Sequence, residues 1–259
     1  MKLQLASSMA GLLLLISFNQ AFAQDNQAES GSRKNIFKMN LSGIALDHYS
    51  FQYERVTNKR QSFAMGFGFS PRVDLPFKKT LADKFGDNED AARMIESTVF
   101  SKITVTPEYR FYLGKKQAPE GFYLGTFVRY LHMSISQDYT FTPGTGNLHR
   151  AHMDGTIDGI GGGVLIGAQW LLGKKKNISI DWWIAGPFFG AMDGDFHGTD
   201  PDMDELDADD RADLKNDIEG VDIPLWTVDA TIGDFTIDAK LKGAFYGARL
   251  FGICLGFRF

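Results

Sequence analysis

The fold is decided by the segment 244-AFYGARLFGICLGFRF-259 at the end of the printed sequence. Its second half alternates large apolar side chains with small or polar ones. The large side chains belong to Phe251, Ile253, Leu255, Phe257 and Phe259, and the residues between them are Gly252, Cys254, Gly256 and Arg258. Because successive side chains of a β-strand point to opposite faces, the segment predicts a strand with one apolar face and one small or polar face.

The composition combines the same two tendencies over the whole chain. The 259 residues include 22 Phe and 28 Gly, yet 23% of them are charged and the mean hydropathy is −0.18. A transmembrane β-barrel reconciles these values, because its strands direct apolar residues to lipid and polar residues to the lumen. A soluble lipocalin-like barrel would have polar outer strand faces instead. We therefore predict an all-β fold, an antiparallel transmembrane β-barrel in the outer membrane of a Gram-negative bacterium.

Further segments alternate in the same manner, and short turns and long loops join them in turn. The predicted strands comprise residues 35–45, 49–57, 61–70, 102–113, 122–136, 156–172, 178–190 and 244–259. In the seventh strand the pattern places Ile184 and Phe188 on the outer face. A barrel with both termini in the periplasm has an even strand number, short periplasmic turns and longer outer loops. We predict eight strands, or ten if the weakly alternating residues 226–240 add a membrane-spanning hairpin, with long extracellular loops that contain short helices.

The first residues of the sequence predict export. Lys2 precedes an apolar run at residues 9–18, and Ala21-Phe22-Ala23 forms a small-x-small cleavage motif. The run is shorter than the about 20 apolar residues of a membrane-spanning helix and fits a secretory signal peptide, cleaved near Ala23. The expected organisation is a signal peptide at residues 1–23, a short N-terminal periplasmic segment at 24–34 and the barrel at 35–259.

Charge and cysteine content restrict the chemistry and the partners. The formal net charge is −5, so the chain lacks the basic footprint of a nucleic-acid-binding protein. The only cysteine, Cys254, excludes an intramolecular disulfide and a cysteine-built zinc site, and we expect no cofactor. The strand that ends at Phe259 resembles the aromatic-terminated signal read by the barrel assembly machinery. We expect outer-membrane lipid and lipopolysaccharide as further partners, whereas no residue combination identifies a partner at the cell surface.

Three motifs resemble a known group of proteins. They are 106-TPEYRFY-112, then 121-GFYLG-125 after a turn, and the glycine-rich stretch from Gly161-Gly162-Gly163 to Gln169. Together they resemble small outer-membrane β-barrels of a domain-of-unknown-function family from Gram-negative bacteria, over most of the mature chain. The resemblance implies the barrel fold, and it implies no particular activity.

In the alternating pattern of the predicted strands, several charged residues occupy positions that point into the barrel. They are Glu54, Glu108, Arg110, Arg129, Asp181 and Arg258. The interior of a barrel of about eight strands is just wide enough to be filled by side chains, and buried charges there must be paired. We therefore predict a polar plug of carboxylate–guanidinium pairs, with a small ion-conducting pore as the alternative.

An enzymatic alternative rests on His132 and Ser134, which share the outward parity of Tyr130 near the outer end of the fifth strand. Asp154, just before the sixth strand, or Asp158 within it would lie across from them. A His-x-Ser pair oriented by a carboxylate resembles the arrangement of a lipid A acyl hydrolase. The predicted catalytic set is His132, Ser134 and Asp158, although no Glu stands in the matching stretch after Ser134.

The acidic residues 200–219 begin with three alternating aspartates, as in a calcium-binding EF-hand loop: Asp200, Asp202 and Asp204. Glu205 occupies the position of the sharp-turn glycine and Arg211 that of the bidentate carboxylate, so the EF-hand interpretation fails. We predict instead a surface helix with Asp202 as its N-cap. Only weak divalent-ion binding is left for the three aspartates, and we expect no dedicated metal site.

These observations favour a protein of structural or surface-interaction type in the cell outer membrane. Rigid strands would display the long outer loops, and such loops commonly carry binding sites. An acyl hydrolase at His132 and a small pore through the charged lumen are the two alternative functions.

Overall fold

The computed structural model describes residues 33–85, 89–142, 149–220 and 225–259. The predicted signal peptide at residues 1–23 and most of the predicted periplasmic segment at 24–34 lie outside these ranges. The described residues from Lys34 to Phe259 belong to one structural unit.

One antiparallel sheet contains all the strands of the described ranges. They are β1 (Asn35–Asn40), β2 (Tyr49–Asn58), β3 (Gln61–Asp74), β4 (Val99–Tyr112), β5 (Gly121–Phe141), β6 (His149–Leu172), β7 (Ile178–Thr199), β8 (Trp226–Ile232) and β9 (Thr236–Arg258). The strands follow the order β1-β2-β3-β4-β5-β6-β7-β9-β8, and β1 also pairs with β9, so that the sheet closes into a ring. β8 pairs with β9 alone, and it forms with the start of β9 a hairpin at residues 226–243.

Short helices lie between the strands. They are α1 (Lys78–Phe85), α2 (Glu89–Ser97) and α3 (Ala208–Glu219), and the residues Ser42–Leu46 and Met203–Glu205 form 3₁₀ turns. In the described ranges, no helix combines the length and the apolar composition that crossing a membrane would require.

The N-terminus of α3 differs from the sequence prediction, which wrongly placed the N-cap at Asp202. The cap is Asp207, whose carboxylate accepts hydrogen bonds from two backbone N–H groups of the first turn, both at 2.9 Å. These bonds satisfy donors that the start of a helix leaves free. Residues 203–205 instead form the 3₁₀ turn that brings Met203 and Leu206 into an apolar cluster. The need to bury these two side chains shifts the start of the helix.

Apolar side chains cover the outside of the ring at the end that carries the turns at residues 113–120 and 173–177, which we call the turn end. The opposite end is the loop end. On β6 the outward residues are apolar from Trp170 to Ile160, and the next outward residue towards the loop end is Asp158. The exposed outward residues at the turn end of β9 are Phe257, Leu255, Ile253 and Phe251. Buried side chains fill the inside, among them Tyr112, Tyr123, Leu165 and Cys254.

β7 contains an irregularity that reverses its alternation. The register between β6 and β7 shifts near Gly167 and leaves Ile184 without a partner on β6. Such an extra residue is a β-bulge, and it exchanges the faces of the residues beyond it. The prediction that Phe188 lies on the outer face is therefore wrong. Phe188 packs inside against Phe127, whereas Phe189 is 62% exposed.

β9 reverses at the same level. Phe251 has a φ of 51°, and its neighbours Leu250 and Gly252 pair with the residues of β7 on either side of the bulge. Leu250 and Phe251 are both exposed, and Arg249 therefore turns to the inside of the ring. A positive φ is unusual for a phenylalanine, so the reversal is a specific feature of this strand.

The strands on one side of the ring are much longer than those on the other. β5, β6, β7 and β9 contain 21, 24, 22 and 23 residues, whereas β1 and β2 contain 6 and 10. At a rise of about 3.3 Å per residue, the long strands continue well beyond β1 and β2. We call this continuation, together with β8, the extended wall; it comprises residues 132–141, 149–158, 193–199 and 236–243. The predicted strand boundaries at residues 136, 156, 190 and 244 are therefore wrong. The predicted end of the first strand at residue 45 is also wrong, because Ser42–Leu46 form a 3₁₀ turn.

α3 covers the inner side of the extended wall. Its buried Leu214 belongs to the same apolar cluster as Met203, Leu206, Met153 of β6 and Ile237 of β9. The inside of the wall is thus an apolar core, while its outside carries charged and polar side chains.

Candidate functional site

A cluster of charged side chains occupies the inside of the ring towards the turn end, and we call it the lumen cluster. Its members are Lys38 of β1, Glu54 of β2, Glu108 and Arg110 of β4, Asp181 of β7 and Arg249 of β9. Their side chains are fully buried except for that of Arg249, which is 7% exposed. The cations are matched by an equal number of carboxylates, so the charges of the cluster cancel.

Ion pairs connect the members of the lumen cluster across the ring. Lys38 Nζ lies 2.5 Å from Glu54 Oε2 and 2.6 Å from Asp181 Oδ2. Arg110 contacts Asp181 Oδ2 at 2.7 Å through Nη1 and Glu108 Oε1 at 2.6 Å through Nε. Each of these charges therefore has an opposite charge within hydrogen-bond distance, as burial of charged groups requires.

Neutral side chains add hydrogen bonds to two of the carboxylates. The Tyr112 hydroxyl donates to Glu54 Oε1 at 2.6 Å, and the Tyr123 hydroxyl donates to Asp181 Oδ1 at 2.8 Å. The Arg110 guanidinium lies over the Tyr123 ring, 4.3 Å from its centre. A cation over an aromatic face is stabilised by the ring electrons, so Tyr123 supports both charges that it contacts.

The predicted lumen residues are only partly brought together. Glu54, Glu108, Arg110 and Asp181 meet in the lumen cluster. Arg129 lies closer to the loop end, half-buried, with its Cζ 5.9 Å from the centre of the Phe188 ring. Arg258 is half-buried at the turn end of β9, opposite Ile36 of β1.

Sequence reasoning missed Lys38 and Arg249. Lys38 alternates with Phe37 and Met39, so the parity of β1 would have identified it as an inward residue. Arg249 has the same parity as the outward residues of the closing segment, and only the reversal at Phe251 brings it inside. Its Nη1 lies 2.8 Å from Glu108 Oε2, which completes the charge balance of the cluster.

The predicted catalytic residues lie on the outer face where the extended wall begins. His132 is opposite Asp158 in the β5–β6 register, and its Nδ1 lies 2.9 Å from Asp158 Oδ1. The Tyr130 hydroxyl donates to the same oxygen at 2.6 Å. Ser134 follows His132 on the same face, and in the described ranges no hydrogen bond joins the two side chains. Asp154, the alternative carboxylate, lies further along β6 towards the loop end.

Asp200, the first of the three alternating aspartates, forms hydrogen bonds within the fold. The buried Asp200 carboxylate lies 2.9 Å from His149 Nδ1 through Oδ2, and its Oδ1 accepts a hydrogen bond from the backbone N–H of Asp202 at 3.0 Å. The side chains of Asp202 and Asp204 are exposed. Within the part of the chain that the structure describes, no group of three or more His, Cys, Asp or Glu side chains is arranged to hold a metal ion.

A groove of about 380 Å³ crosses the extended wall from β4 to β9. Its lining includes Ser134, Asp154, His197, Asp238 and Lys240. His197 and Asp238 form an exposed pair, with 2.7 Å between Nδ1 and Oδ1. Small-molecule sites commonly have volumes of about 300–1,000 Å³, so the groove is large enough to hold part of a ligand.

Comparison with known proteins identifies a family. A family model described as "Protein of unknown function (DUF3575)" matches residues 12–186. No curated protein and no solved structure matches the chain. The matched residues comprise more than half of the chain, and the expectation of a domain-of-unknown-function family is thereby confirmed. The chain belongs to the DUF3575 family of proteins of unknown function.

Proposed function

We propose that the protein is an integral outer-membrane β-barrel of structural or surface-interaction type, in which eight strands cross the membrane and hold the extended wall at the cell surface. The observation that carries the proposal is the lumen cluster, because its paired and buried charges close the inside of the ring. A closed barrel of this kind anchors and displays a surface, and it does not conduct.

The apolar outer band supports the placement in a membrane. On β6 it extends from Ile160 to Trp170, which matches the about 9–11 residues of a membrane-spanning strand. Asp158 bounds the band on one side and the lysine-rich turn at residues 173–177 on the other. Polar limits on both sides are typical of a strand that crosses a bilayer. In this placement the turn end faces the periplasm and the extended wall faces the outside.

The extended wall supports a role in surface interaction. Its outer face carries exposed charged side chains, among them the pair of His197 and Asp238, and its inner face is covered by α3, so the outer face is the one open to a partner. The groove begins beyond Asp158, close to the edge of the apolar band. We propose lipopolysaccharide and other outer-leaflet lipids as the molecules that surround this region.

Fractionation and conductance measurements test the proposal. The protein should sediment with outer membranes, show heat-modifiable mobility in gels, and give no steady current in planar bilayers. Breaking the cluster with Arg110→Ala should produce intermittent currents, whereas Arg150→Ala, on the exposed outer face of β6, should not. Large steady currents from the unaltered protein would contradict the closed lumen, and recovery in the soluble fraction would contradict the membrane placement.

A second candidate function is hydrolysis of lipid acyl esters, and the contact between His132 and Asp158 favours it. Asp158 would hold His132 Nδ1–H, so that Nε2 accepts the Ser134 hydroxyl proton while Oγ attacks an ester carbonyl. In the proposed placement these residues lie one row beyond Ile160, where acyl chains meet headgroups. Mass spectrometry of lipid A from overproducing cells should then show a lost acyl chain. Ser134→Ala should restore full acylation and Ser136→Ala should not; unchanged lipid A in the parent strain would exclude this function.

A further inference from the structure

The loop end of the lumen contains two cations without a counter-ion. Lys102 of β4 and Arg129 of β5 have the inward parity of their strands and are half-buried. In the described ranges neither side chain forms an ion pair or a hydrogen bond. They contact aromatic rings instead, with Lys102 Nζ 5.7 Å from the centre of the Phe100 ring and Arg129 over the Phe188 ring.

Neutral polar groups converge on the same part of the lumen. His48 enters it from the connection between β1 and β2, and its Nδ1 lies 3.3 Å from the hydroxyl of Ser70, the residue opposite Lys102. Gly68 provides the space, because a Cβ there would lie 2.8 Å from His48 Nε2 and 2.7 Å from Thr104 Oγ1. The His48 ring and the Thr104 hydroxyl therefore meet above a residue that has no side chain.

His48 lies close enough to Lys102 and Arg129 for their charges to change its pKa. Burial, and then the charges of Lys102 and Arg129, lower the pKa of His48 to about 4. His48 is therefore neutral near pH 7, and its ring lies beside the Ser70 hydroxyl and the backbone of Phe69. The charges of Lys102 and Arg129 remain unbalanced, because Glu108, the inward carboxylate of β4, is held by Arg110 and Arg249.

We propose that the loop end of the lumen binds an oxyanion, a phosphate or carboxylate group, between Lys102 and Arg129. Hydrogen bonds from cations to an anion are shorter and stronger than neutral ones, and partly buried cations without a counter-ion are unfavourable. A bound oxyanion would satisfy both side chains, and it would accept further hydrogen bonds from Thr104 and His48. The site goes beyond anchoring, since it gives the closed barrel a ligand.

The oxyanion has two potential sources, which share this chemistry. A free inorganic anion would enter the lumen from the loop end. A phosphate headgroup of a surrounding lipid would enter past β1 and β2, whose connection ends the ring at a lower level than the extended wall. Inorganic phosphate and dodecyl phosphate are therefore separate probes of one site.

Calorimetric titration of the full-length folded protein, in a nonionic detergent, tests the proposal. We expect Lys102→Gln and Arg129→Gln each to weaken phosphate binding about tenfold, which corresponds to about 1.4 kcal/mol. Lys102→Arg retains the charge and should retain binding. Lys242→Gln removes a charge from the exposed outer face of β9 and should leave binding unchanged.

The two probes identify the source of the anion. Binding of inorganic phosphate indicates a free anion, and binding of dodecyl phosphate alone indicates a lipid headgroup; both support the site if binding depends on Lys102. Binding of neither probe, or equal effects of Lys102→Gln and Lys242→Gln, would overturn it. If Lys102→Gln does not fold, protection of Lys102 from an amine-reactive reagent by phosphate in the unaltered protein gives the same answer, and absence of protection overturns the site.

Discussion

The Arg110 guanidinium contacts two buried carboxylates at once, those of Glu108 and Asp181. Removal of its charge leaves both carboxylates without their main partner in the middle of the ring. We expect Arg110→Gln to lower the free energy of unfolding by about 3–5 kcal/mol, as for other broken buried ion pairs. Urea titration followed by heat-modifiable mobility measures this change.

The matched control for Arg110→Gln is Arg150→Gln. Arg150 is exposed on the outer face of β6, where substitutions usually change stability by less than about 0.5 kcal/mol. Equal losses of stability in the two variants would show that the ion pairs of the lumen cluster contribute nothing.

His48 gives the protein a pH dependence with a defined sign. Its pKa falls from 6.5 in the unfolded chain to about 4 in the fold, because burial and the charges of Lys102 and Arg129 disfavour the imidazolium; Ser70 is its neutral neighbour. The unfolded state therefore binds a proton that the folded state excludes, and stability is lost as the pH falls from about 6.5 towards 4. We expect the loss to be smaller in His48→Gln, as measured by urea unfolding at several pH values.

Addition of phosphate provides a second test of the environment of His48. An oxyanion bound beside the imidazole favours its charged form, so saturating phosphate should raise the pKa of His48 in the fold. The acid-induced loss of stability should then diminish in the unaltered protein and not in His48→Gln. Identical pH profiles for the two proteins, with and without phosphate, would contradict the environment described for His48.

The alternation of side chains along the strands predicts the inward position of some charged residues and not of others. The inward positions of Glu54, Glu108, Arg110 and Asp181 follow from alternation alone, because the strand register is regular at each of these residues. Arg249 does not follow, since a backbone conformation at φ 51° two residues away reverses the faces. The alternation in the sequence is the same in both cases, so a local bulge of this kind is invisible in it.

The strands change character where the extended wall begins. On β6 the apolar residues nearer the turn end are even-numbered and outward, such as Ile160 and Val164, whereas beyond Asp158 they are odd-numbered and inward, such as Ile157 and Met153. The backbone alternation continues without interruption. Only the character of each face changes, because the outward residues become polar and the inward residues apolar. For this reason the continuing strand resembles a polar loop in the sequence.

The helix α3 is the element whose packing can be tested separately from the ring. Leu214 is 4% exposed and packs with Met203 and Leu206 against the extended wall. We expect Leu214→Ala to destabilise this packing by about 2–5 kcal/mol, since a buried leucine is replaced by a cavity. Hydrogen exchange at residues 208–219 should become faster, while exchange at the seam between β1 and β9 stays unchanged.

Asp213→Ala is the control for this element. Asp213 is the exposed neighbour of Leu214 in the same helix, so its removal should leave hydrogen exchange in α3 nearly unchanged. Faster exchange at the β1–β9 seam in Leu214→Ala would show that α3 and the ring unfold as one unit.

Phe259 extends the seam between β1 and β9 that closes the ring. The backbone N–H of Phe259 donates to Asn35 O at 2.9 Å, and the N–H of Asn35 donates to Phe259 O at 3.1 Å. Deletion of Phe259 should reduce stability by about 0.5–1.5 kcal/mol for each lost hydrogen bond and should lower the yield of folded protein in membranes. Phe259→Tyr retains both hydrogen bonds and an aromatic end, so its yield should match that of the unaltered chain.

The unequal strand lengths make the molecule asymmetric about the axis of the ring. In the proposed membrane, a neighbour that approaches from the side of β1 and β2 meets the open mouth of the lumen near Lys102. A neighbour that approaches from the side of β6 and β7 meets the charged outer face of the extended wall. Rotation about the membrane normal therefore decides which of the two surfaces a given lipid or protein encounters. In the proposed placement, one copy of the protein therefore presents two different surfaces on opposite flanks, and occupation of one surface leaves the other accessible.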